Sequence, residues 1–146
     1  MDDASGVIFH VDCDVYCWLG GGGLMTTNER AAQLWAVLAL AAHNRQVLTY
    51  NLIARLTGIA RVGLGQCLEP IQSYCLVKGL GPLTILVVSE KTGMPGVGFI
   101  AAQDIPRAQQ EVFGYDWMAH GGPSPESFEA AVRLRPSNGI IQLPEE

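Results

Sequence analysis

The sequence predicts an α+β chain that is mainly helical. The expected architecture is a winged helix-turn-helix with a small β-hairpin and C-terminal helices, preceded by an N-terminal β-strand-like appendage. Three observations predict it. An apolar stripe at helical spacing (Ala31, Leu34, Trp35, Leu38, Ala42) follows a capping signal. A short helix over Tyr50 to Leu56, a stop at Thr57-Gly58 and a longer helix over Gly63 to Val77 give a helix-turn-helix order. A β-branched run at Leu83 to Val88, turn residues from Ser89 to Gly98 and a possible return at Phe99 to Ala101 give a hairpin.

The appendage comes first. Val7, Phe9, Val11, Cys13, Val15, Cys17 and Leu19 alternate with His10, Asp12 and Asp14. That period of two is a strand with one buried face. Gly20 to Gly23 follow, and four glycines in a row form a flexible tether. Residues 1–24 are therefore set apart, with the domain at 25–137 and a loose tail at 138–146. In the domain, Thr26 and Glu29 have the spacing of a capping box for a helix from about 27 to 43. Thr49 is an N-cap, with Leu52, Ile53 and Leu56 inward. Ile59 to Val62 is a brief turn. The second motif helix places Leu64, Cys67, Leu68, Ile71 and Cys75 on one face, with Pro70 as a kink or restart. Asp104 caps a helix to about Phe113. Ser124-Pro125 starts another, ending near Arg135-Pro136.

Composition excludes several classes. The chain of 146 residues is 49% hydrophobic and 16% charged, which is not the composition of a disordered chain. The longest apolar run, Leu34 to Ala42, is far short of the roughly 20 residues of a membrane span. Acids at Asp2 and Asp3 stand where a secretory signal is basic, and the four cysteines are unevenly spaced. A reducing cytoplasm is the expected compartment. The net charge of −5 is uneven: residues 1–24 carry −4, residues 45–91 carry +3 and residues 92–146 carry −4. A basic centre between acidic flanks is compatible with a nucleic-acid-facing surface or with ordinary scatter.

Leu48 to Ile100 resembles the DNA-binding domain of alkylguanine-DNA alkyltransferases and alkyltransferase-like proteins. The resemblance rests on Thr49-Tyr50 opening a helix, on Ile53-Ala54-Arg55-Leu56 within it, and on Gly58, Gly63 and Leu68. Leu83 to Val88 with Ser89 and Gly93 completes it. It implies a helix-turn-helix that binds the minor groove, a tyrosine (here Tyr50) that helps rotate a nucleotide, and an arginine (here Arg61) that fills the gap. The family's reactive Pro-Cys-His-Arg falls at Leu83-Thr84-Ile85-Leu86, so alkyl transfer by that route is excluded. Ile8 to Asp14 resembles the opening strand of Y-family DNA polymerases. The chain has no Asp-Glu or Glu-Asp pair, which excludes polymerase activity.

Cys13 and Cys17 with His10 do not have the usual spacing of a zinc site, and on a strand they lie about 13 Å apart. Cys67 and Cys75 read as small core hydrophobes. His43 sits at a helix end, where a cation meets the dipole; His120 is a loop residue that can be functional. Lys91 to Gly98 reads either as a plain hairpin turn or as a wing tip along a phosphate backbone. No cofactor, metal or catalytic set is expected. The expectation is a non-catalytic DNA-binding protein of DNA repair or processing, using Tyr50, Asn51, Arg61, Gly63, Gly65, Gln66 and Lys91. The alternative is a protein-interaction or dimerisation module, with homodimerisation through the N-terminal strand.

Overall fold

The computed structural model describes residues 25–95, 104–119 and 121–134. In chain order they form α1 (Thr27–His43), β1 (Leu48–Thr49), α2 (Tyr50–Thr57), a 3-10 turn (Arg61–Gly63) and α3 (Leu64–Lys78). A second 3-10 turn (Leu83–Leu86), β2 (Val87–Val88), α4 (Ile105–Gly114) and α5 (Pro125–Leu134) complete them. The described part is α+β and mainly helical, with a two-stranded sheet. No helix among the described residues is long and apolar enough to cross a membrane.

Local chemistry sets the helix starts. The Thr26 side chain accepts from the Glu29 N–H at 3.1 Å, and the Glu29 carboxylate accepts from the Thr26 N–H at 2.7 Å. This is the reciprocal capping box that the spacing predicts. Thr49 accepts from Leu52 N–H at 3.1 Å, and Asp104 from Arg107 N–H at 3.1 Å. Gly58 ends α2 at φ +75°, a left-handed conformation that glycine adopts at little cost. Its N–H closes on the Ala54 carbonyl at 2.9 Å.

The core lies between α1, α3 and α5, with the 83–86 turn and α4 closing the other side. The predicted α1 stripe is buried throughout, as are Cys67 and Cys75. Trp35 of α1 meets Tyr74 of α3 at 5.4 Å, Trp117 at 5.5 Å and Phe128 of α5 at 6.0 Å between ring centroids. Trp117 is thus a core residue, and its indole N–H donates to the Val112 carbonyl at 2.7 Å. Tyr115 and Met118 stay partly exposed.

The structure corrects three expectations. Leu83 to Leu86 is a 3-10 turn, and only Val87 and Val88 are strand. All six residues are buried, so the run has no solvent face to impose alternation. β2 pairs in parallel with β1, Leu48 with Val87 and Thr49 with Val88, and an antiparallel bridge also joins Val88 to Pro95. Pro70 does not restart α3, which runs unbroken from Leu64 to Lys78. Leu52 and Leu56, expected to point inward, are exposed, and Ile53 is the buried residue of α2. The return strand at Phe99 to Ala101, the appendage 1–24, His120 and the tail 138–146 lie outside the described residues.

Arg30 was not legible as a core residue. It is 1% exposed, and its guanidinium Nη1 donates to the Gln33 side chain and to the Thr57 carbonyl, both at 2.8 Å. It thereby places a cation at the C-terminus of α2, where the dipole favours one. Among the described residues, its Nε and Nη2 have no hydrogen-bond partner.

Candidate nucleic-acid interface

The parallel pairing builds the site. Thr49 is both the last residue of β1 and the N-cap of α2, and it pairs with Val88. Glu90, two residues beyond Val88, comes over the first turn of α2. Its Oε2 accepts the Asn51 N–H at 2.8 Å. Its Oε1 meets the Arg61 guanidinium at 3.3 Å. One carboxylate thus joins the start of α2, the turn before α3 and the segment after β2. The Asn51 N–H, helped by the Thr49 hydroxyl and Arg61, holds the Glu90 carboxyl below its ordinary value of 4.5.

The segment after Glu90 is a tight turn. Ser89 N–H donates to the Met94 carbonyl and Gly93 N–H to the Ser89 carbonyl, both at 2.8 Å. Gly93 has φ +68°. The Ser89 hydroxyl accepts from Lys91 N–H at 3.2 Å, and the Lys91 side chain is exposed. The turn is ordered by its own backbone and presents one cation beside Glu90.

Each predicted residue now has a place. Asn51, Arg61 and Lys91 are exposed around Glu90. Tyr50 is half-buried and packs on the core. Gly63 is buried and offers no surface, whereas Gly65 is exposed on the first turn of α3. Gln66 lines an open groove of about 460 Å³ that α3 shares with α1 and α5, together with Thr27, Asn28, Glu69, Pro70, Glu129, Val132 and Arg133. Gln66 is therefore turned toward a more acidic surface than Arg61. Glu90 is the residue that the sequence reading missed. A charge count treats it only as one of two anions, with Glu69, against five cations in residues 45–91.

The stretch Leu83-Thr84-Ile85-Leu86 holds no cysteine, and all four residues are buried. Among the described residues, the Thr84 hydroxyl has no hydrogen-bond partner. Burial pushes the Cys75 thiol up to about 12, which disfavours a reactive thiolate. We expect Cys75 to resist alkylation at pH 8 until the protein unfolds, as read by peptide mass spectrometry. Replacing Cys67 and Cys75 together by alanine should lower stability by about 1–3 kcal/mol, measured by chemical denaturation. Among the described residues, no group of three His, Cys, Asp or Glu could hold a metal ion.

Comparison with protein-family models, curated proteins and solved structures finds no match to this chain.

Proposed function

We propose that this chain is a winged-helix protein that binds duplex DNA without catalysing a reaction on it, in DNA repair or processing. The observation that supports this most is the convergence at Glu90. Asn51 at the start of α2, Arg61 before α3 and Lys91 in the following turn come to one exposed surface. Backbone N–H groups at helix starts and flanking cations suit phosphate oxygens. In this reading α2, Gly58 and α3 are the helix-turn-helix, and the 89–95 turn is the base of the wing. Arg61 contacts a groove edge or phosphate, Gly65 lets the backbone approach closely, and Lys91 contacts the backbone from the wing.

Fluorescence anisotropy with a labelled duplex tests the reading. Binding should weaken steeply as salt rises. Lys91→Ala should weaken it evenly across sequences and lower the salt slope by about one. No retention of DNA at low salt would reject the proposal. In that case the second reading, a protein-interaction or dimerisation module, takes its place. A specific observation favours it: Leu52 and Leu56 on α2 and Val62 in the 3-10 turn before α3 are exposed apolar side chains.

A further inference from the structure

The outer face of α2 is unusual for a solvated helix. Asn51, Leu52, Arg55 and Leu56 are its exposed residues, while Ile53 is buried. Leu52 and Leu56 are four apart and lie on one stripe. Leu56 is 61% exposed, and Val62 in the adjoining 3-10 turn is 80% exposed. Arg55 is the residue before Leu56 and Arg61 the residue before Val62; both are exposed, and Arg61 also pairs with Glu90 at 3.3 Å. Among the described residues, nothing covers this apolar strip.

We infer that residues 7–19 of this same chain dock on that face, with their apolar side against Leu52, Leu56 and Val62. Two observations single out this occupant. The first is chemical. Val7 to Leu19 has an unbroken apolar face at period two, and residues 1–24 hold four aspartates and no base. An apolar strip edged by arginines is complementary to such a segment. With the apolar face down, Asp12 and Asp14 stand on the outer side, so their attraction to Arg55 and Arg61 acts as a screened field rather than as contact pairs.

The second is reach. Arg30 lies five residues into the chain from Met25, about 7.5 Å along a helix. Its guanidinium touches the Thr57 carbonyl, the last residue of α2, at 2.8 Å. The Gln33 side chain also contacts Met25 Sδ at 3.7 Å and accepts from Arg30 Nη1 at 2.8 Å, so the tether starts on the side of the domain that holds the C-terminal end of α2. Gly20 to Leu24 can span up to about 17 Å, and the whole of α2 is about 12 Å long. A segment on that tether reaches Leu56 first and Leu52 next. Tethering also gives a weak contact a millimolar effective concentration. If the surface binds DNA as proposed above, the docked segment competes with it; that consequence alone rests on the DNA reading.

Native cysteines make the test direct, because Cys13 and Cys17 fall on the apolar face of the segment. In the full chain, Leu56→Cys should form an intramolecular disulfide with Cys13 or Cys17 under mild oxidation, identified by peptide mass spectrometry. Leu134→Cys, at a 70% exposed position on α5, should form at least tenfold less. Adding Asp12→Lys and Asp14→Lys to Leu56→Cys, or oxidising in 1 M salt, should reduce the yield several-fold. Equal yields from Leu56→Cys and Leu134→Cys, or disulfides only between molecules, would overturn the inference. None of these readouts uses DNA, so failure of docking and failure of DNA binding are separate results.

Discussion

Replacing Trp35 by alanine is expected to remove about 3–5 kcal/mol of stability, as large aromatic truncations in cores do. The indole is 4% exposed and is the hub of the aromatic cluster. Its ring stands edge-on to Tyr74 of α3 and to Trp117, and tilted against Phe128 of α5. Tyr74 and Phe128 also meet each other at 5.6 Å, so three elements lean on one side chain. Small domains hold only about 5–15 kcal/mol in total. Trp35→Ala should therefore leave a marginal domain with a much lower denaturation midpoint. Trp35→Phe separates the causes. It keeps a ring in the cluster and removes an indole N–H that has no hydrogen-bond partner among the described residues. It should lose well under half as much. Urea denaturation of both variants checks this. Equal losses would mean that the indole's full outline, not the presence of a ring, sets the packing.

The parts that sequence made legible are those whose cause is local. Thr26 with Glu29, Thr49 with Leu52 and Asp104 with Arg107 are each three residues apart, and all three form as read. Gly58 marks the end of α2 for the same reason. Long-range causes were invisible. Arg30 is buried because its acceptor at Thr57 is 27 residues away. Glu90 matters because it reaches Asn51 across 39 residues. Leu83 to Val88 was misread because a short apolar run carries no period that separates a strand from a buried turn. Its partner, Leu48-Thr49, is too short to read as a strand on its own. The candidate site was thus half visible. Asn51, Arg61 and Lys91 could be named from their positions in the motif, but the carboxylate that gathers them could not.

Substitutions at Arg61 and Glu90 are expected to move DNA affinity in opposite directions. Arg61 lies at the start of the 3-10 turn that leads into α3, where the helix dipole favours phosphate. Arg61→Ala should weaken binding by about 1–3 kcal/mol if the side chain contacts a base edge. Glu90 opposes binding in two ways. It brings a negative charge to the proposed DNA-binding surface, and it holds the Arg61 guanidinium and the Asn51 N–H, donors that in this proposal phosphate oxygens would otherwise take. Glu90→Gln keeps the shape and removes the charge, so affinity should rise about tenfold at low salt, since like charges across an interface are costly. The double variant should lose most of that gain, because the freed arginine is then absent. Glu90 also predicts a pH effect on the protein alone. Its folded value lies below 4.5, so the native state favours the carboxylate form. Its stabilising contribution is present above that ordinary value and is lost as pH falls through the lowered one. The Asn51 amide NMR signal should report this, with an inflection below pH 4.5 that disappears in Glu90→Gln. An Asn51 signal that ignores Glu90→Gln would break the link between the 89–95 turn and α2 on which the site rests. A rise in affinity for Arg61→Ala would reverse the charge assignment of the surface itself.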